Sequence, residues 1–129
     1  KWEETAQALV KAFSGTLQVQ PAAFTFFLMG LDFALRPGQE IVIAGEPTGT
    51  DTQQLLSALN LSFAPNKVAL VKSDQNAERL SKFAGFTDGL QVVQGQTTAH
   101  MCKNGACTDS TSDMQAVLAH ILKKENGAE

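Results

Sequence analysis

The sequence predicts an α/β fold: an N-terminal helical hairpin, then a small layered β-α-β-α-β-β-α unit with parallel core strands and a C-terminal antiparallel hairpin. Three observations lead there. The first 36 residues carry helical apolar periods. From Glu40 onward, short β-branched runs alternate with helical stripes. Near the end, Asn104-Gly105 offers the two-residue turn that closes antiparallel strands.

Trp2, Ala6, Leu9, Val10 and Phe13 share one helical face, so residues 2–14 are expected to form an amphipathic helix that stops at Gly15. After Pro21, a favoured residue of a first helical turn, "AAFTFFLMGLDFAL" is apolar on nearly every side until Arg36-Pro37-Gly38. Such a helix needs cover all round. It is either a central core helix or one whose second face meets another domain or subunit, which makes residues 21–35 a candidate homo-oligomer surface.

"EIVIAGE" and "KVALVKS" read as strands, 40–45 and 67–72, and the helix between them implies parallel neighbours in a buried sheet. Thr50 with Gln53 is expected to box the start of the helix carrying Leu55, Leu56, Leu59 and Phe63. Ser73 or Asp74 is expected to cap a shorter helix through Leu80 to Phe83. "LQVVQGQTTAHMC" reads as two strands around Gln94-Gly95-Gln96, and Ser112 with Gln115 as the cap of a last helix with Met114, Val117, Leu118, Ile121 and Leu122 in one stripe.

The composition excludes several functions. Ten basic against thirteen acidic side chains give a net charge of −3, with no basic run longer than Lys123-Lys124, so nucleic acid is not an expected partner. No apolar stretch reaches the roughly 18 residues needed to cross a bilayer, so no membrane partner is expected and the expected location is the cytoplasm. With 129 residues and 43% apolar composition, the chain is expected to form one domain, 1–129, divided into the hairpin (1–36) and the α/β unit (37–129). It starts at a lysine already inside a helical pattern, which suggests a piece of a longer chain.

Chemistry concentrates at "TAHMCKNGAC", residues 98–107, which hold both cysteines. Asn-Gly in a type I′ turn pairs Lys103 with Ala106 and then Cys102 with Cys107, a non-hydrogen-bonded site where Cα atoms lie about 4.5 Å apart. One same-face step further, His100 is expected opposite Asp109. Three readings compete: a redox pair activated by His100 held by Asp109, a zinc site using His100, Cys102 and Cys107, or a structural pair on a tight turn. Zinc normally needs a fourth ligand, and cross-strand side chains do not converge tetrahedrally. The structural pair is preferred, with no metal and no cofactor expected.

"AGEPTGTDT" joins a strand end to a helix start, so Gly45, Gly49 and Thr50 are ligand-loop candidates. It is no phosphate loop, because the Walker lysine is absent and Glu46 and Asp51 repel phosphate. A connecting loop is the preferred reading. No nucleophile-elbow sequence occurs.

"TAHMCKNGAC", with "EIVIAG" and "APNKVALV" upstream, resembles the C-terminal part of the YyaL-like family of thioredoxin domain-containing proteins. Thr98, Ala99, Cys102, Ala106 and Cys107 match its T-A-aromatic-Val-Cys-x₄-Cys signature; His100 and Met101 replace the aromatic-Val pair, and Thr97 stands where Pro is common. The resemblance implies a longer protein with a thioredoxin-like domain, an (α/α)₆ toroid and then this segment, with residues 2–35 resembling the toroid's last helical hairpin. Its partners would be the N-terminal domains of its own longer chain. The expected role is a non-catalytic structural and interaction module. The alternatives are a thiol-disulfide oxidoreductase using Cys102 and Cys107, or part of a sugar-processing enzyme of the epimerase/glycosidase toroid type, which implies carbohydrate metabolism.

Overall fold

The computed structural model describes residues 2–36 and 38–125. It is a mixed α/β structure in which the chain divides into two compact units, Lys1–Arg36 and Pro37–Glu129.

In the first unit, α1 (Trp2–Val19) leads through a 3₁₀ turn (Pro21–Phe24) into α2 (Thr25–Leu35). Gly15 does not end α1 as expected. An isolated glycine costs a helix only about 1 kcal/mol against alanine, and continuing past it places Leu17, the one buried side chain of α1. Phe13 packs on Phe24 and Phe27, with ring centroids 6.1 and 5.7 Å apart. α2 has no buried residue: Phe26 is 86% and Met29 65% exposed, and Trp2 and Leu9 of the α1 stripe are also exposed.

In the second unit a four-stranded sheet runs β2-β1-β3-β4. β1 (Gln39–Ala44) pairs in parallel with β2 (Lys67–Lys72), and antiparallel with β3 (Thr98–Lys103), which pairs antiparallel with β4 (Ala106–Thr111). Parallel pairing requires a crossover, and α3 (Thr50–Leu61) supplies it. Ile41 and Ile43 point to one face and pack with Leu55 and Leu59 of α3 and with Val117 and Ile121 of α5 (Met114–Glu125). Burial on that face stabilises the unit, at about 25 cal/mol per Å² of apolar surface. Val42, Thr98, His100 and Cys102 alternate with these residues and are also buried.

The helix ends differ from the expected caps. α3 has Gly49 at its N-cap with no side-chain capping bond; Thr50 is its first residue, and Gln53 turns back to donate to the Pro47 carbonyl at 2.6 Å. Glycine there gives the chain an extended entry with no capping oxygen. At its other end, Lys67 donates to the Leu59 carbonyl and to the Ser62 carbonyl and hydroxyl, cation against helix C-terminus. Phe63 lies beyond the helix and is exposed. α4 is short (Ala77–Ser81), with Asn76 at its N-cap in place of Ser73 or Asp74; the Asn76 Oδ1 accepts from the Ser73 N–H, and its Nδ2 donates to the Val71 carbonyl, both at 2.9 Å. Asp113, not Ser112, caps α5: its Oδ1 accepts from the Gln115 N–H at 2.9 Å.

The strand expected before Gln94 does not form. Gln94 and Gly95 both have positive φ, and the segment keeps a single bridge, Val93 to Gln96. The Val93 N–H, which a ladder would have used, donates instead to the Thr98 hydroxyl at 2.9 Å.

Candidate functional site

The sequence candidates fall in two places, the hairpin β3–β4 and the cleft at the carboxyl ends of β1 and β2. Asn104 and Gly105 at the hairpin tip have φ of 52° and 73°, the pair of left-handed conformations that a type I′ turn needs. Lys103 pairs with Ala106 and Cys102 with Cys107, which brings the two sulfurs to bonding distance, with Cα atoms 3.8 Å apart. That separation is shorter than the expected cross-strand value. Cys102 is buried and Cys107 half-buried. The Gly105 N–H donates to Glu40 Oε2 at 3.0 Å, fastening the turn to β1.

Beyond the cysteines the register shifts. Met101 pairs with Asp109 and His100 with Ser110, so Thr108 is an extra residue on β4. Such a bulge turns every later side chain to the other face. The expected pairing of His100 with Asp109 is therefore overturned. Asp109 is exposed and accepts from the Thr108 hydroxyl at 3.2 Å. His100 is buried and lies 2.9 Å through Nε2 from the Gln91 carbonyl; a carbonyl only accepts, so Nε2 carries the proton. The imidazole thus anchors the segment before β3, and Asp109 is not opposite it. Among the described residues, no group of three or more His, Cys, Asp or Glu side chains converges as a metal site.

The cleft is the larger feature, about 810 Å³. Gly45, Gly49 and Thr50, the ligand-loop candidates, all line it. Gly45 is there for space: a Cβ would lie 2.9 Å from both the Thr52 and Thr97 hydroxyl oxygens. Glu46, Asp51 and Asp74 add carboxylates to the wall, and Lys72 adds an ammonium that donates to the Thr87 carbonyl at 2.7 Å. Lys72, Ser73 and Asp74 did not emerge as site residues from their types. The usable signal was topological: parallel strands end side by side, so the residues after β2 must border the residues after β1.

Among the described residues, no helix is long and apolar enough to cross a membrane. No protein-family model matches the chain, and no solved structure matches it. It is similar to spermatogenesis-associated protein 20 of human, rat and mouse, 28% identical to each over 112 residues. The similarity covers 87% of this chain and 14% of each relative, so the chain spans only a small part of the length of these relatives.

Proposed function

We propose that this chain is a non-catalytic structural and interaction module of a longer protein, the C-terminal segment of a thioredoxin-like plus toroid architecture, where its helical hairpin completes a larger helical domain. The observation that carries this reading is α2, a helix with no buried residue whose Phe26, Met29 and Leu35 are largely exposed. Exposed apolar surface of that extent is a liability unless something covers it. The relatives supply the scale, since the matched region is 14% of their length.

Catalysis by the cysteines is disfavoured by where they stand. Reactive thiols are commonly activated at a helix N-terminus or beside a cation. The turn entering α3 holds no cysteine, and the cysteine turn enters no helix. The test is hydrogen exchange of residues 2–35 in this chain and in the longer chain. Protection of α2 should rise in the longer chain; equal protection would overturn the reading.

A further inference from the structure

We propose that Asn104 is a modification site, where the chain deamidates through a succinimide, and that Glu40 is a positioning residue that restrains the reaction. The Asn104-Gly105 pair is exposed at the tip of the β3–β4 hairpin. In the reaction the Gly105 nitrogen loses its proton and attacks Cγ of the Asn104 side chain. The new N–Cγ bond closes a five-membered ring, and the Cγ–Nδ2 bond breaks as ammonia leaves with a proton. Water then opens the ring at either carbonyl and leaves aspartate or isoaspartate at position 104. Glycine favours the attack, because no side chain stands beside the nitrogen. The turn cannot dispense with such a pair: φ is 52° at Asn104 and 73° at Gly105, where most L-residues are strained.

A second observation singles out Glu40. In a two-residue turn the ladder bonds belong to the flanking pair, here Lys103 and Ala106, so the N–H of the second turn residue is ordinarily left to solvent. Here it is held. Glu40 stands opposite Cys102 on β1, and its Oε2 accepts from the Gly105 N–H at 3.0 Å. A carboxylate is too weak a base to take an amide proton outright. Its charge instead opposes the anion that forms when that nitrogen is deprotonated, and its hydrogen bond must break before the nitrogen can turn on Asn104. The fold thus builds its turn from a labile dipeptide and holds the reactive nitrogen from the neighbouring strand.

The disulfide-intact full chain, kept in mildly alkaline buffer and mapped by peptide mass spectrometry, is the test. Product is expected at Asn104 ahead of Asn60, Asn66 and Asn76, each of which is followed by a residue with a side chain. Glu40→Ala should raise the rate at Asn104 about fivefold, the effect of one solvent-exposed hydrogen bond to a charged acceptor. Glu40→Gln, which keeps an acceptor without the charge, should fall between. Amide hydrogen exchange removes the same proton, so exchange at Gly105 should quicken with deamidation while Lys103 and Ala106 keep their protection. Quickening at all three would mean that the variant only loosens the hairpin and would overturn restraint by Glu40, as would an unchanged or slower rate in Glu40→Ala. Absence of product at Asn104 in every chain would overturn the site itself.

Discussion

Cys102 and Cys107 face each other one pair outward from the Asn104-Gly105 turn, with Cα atoms 3.8 Å apart. The bridge closes a loop of six residues, and by chain entropy such a loop stabilises the folded state by about 2 kcal/mol. Urea unfolding of the oxidised and the reduced chain should differ by that amount, with the reduced form unfolding first. Coincident midpoints would mean that the turn alone holds the register.

The same pair should not reduce a substrate disulfide at an appreciable rate. The cysteine turn enters no helix, so neither sulfur has the helix N-terminus that commonly activates a thiol, and the nearby imidazole is tied through Nε2 to the Gln91 carbonyl. In an insulin-reduction assay with dithiothreitol, this chain and Cys102→Ser should give the same rate. A rate that vanishes in the variant would establish the oxidoreductase alternative.

The order of elements and the parallel pairing of β1 with β2 were legible because apolar period and connection rules are local signals. So was the cysteine pairing, which Asn104-Gly105 dictates. The bulge was not legible: nothing in "ACTDST" marks Thr108 as the extra residue, and a one-residue shift was enough to separate Asp109 from His100. Caps failed for a similar reason. Several short polar residues stand within reach of each helix start, and which one takes the N-cap position depends on how the preceding strand delivers the chain, so Asn76, which makes no side-chain capping bond, stands there in place of Ser73, and Asp113 displaced Ser112. The cleft lay between these limits. Gly45, Gly49 and Thr50 could be seen from β1, whereas Lys72, Ser73 and Asp74 enter only once β2 is laid beside it.

Two glycines should respond to alanine with opposite signs. Gly105 has φ of 73°, and its Cβ would lie 3.6 Å from the Phe86 Cβ, so Gly105→Ala should destabilise by about 1–2 kcal/mol, the cost of a left-handed conformation for an L-residue. Gly15 sits inside α1 with nothing within 4 Å of its Cβ position, so Gly15→Ala should stabilise its helix by up to about 1 kcal/mol. Thermal unfolding of both variants against the parent checks the pair. A destabilising Gly15→Ala would show that this helix face is already occupied in solution.

The isolated chain should self-associate through α2. Phe26, Met29 and Leu35 project from a helix that buries none of its residues, and Phe33 is 42% exposed. The chain's net charge of −3 supplies little repulsion against association at ordinary salt, where charges further apart than about 8 Å are largely screened. With no other covering available, a second copy is the apolar partner present at high concentration. Sedimentation velocity should therefore show concentration-dependent species larger than the monomer, and Phe26→Glu with Met29→Glu should return the chain to a monomer without lowering its stability, because neither side chain is buried. A parent chain that stays monomeric at high concentration would remove α2 as an association surface. If instead the double variant associates as the parent does, the contact lies elsewhere on the chain, and the exposed Phe63 and Phe83 of the α/β unit become the surface to substitute next.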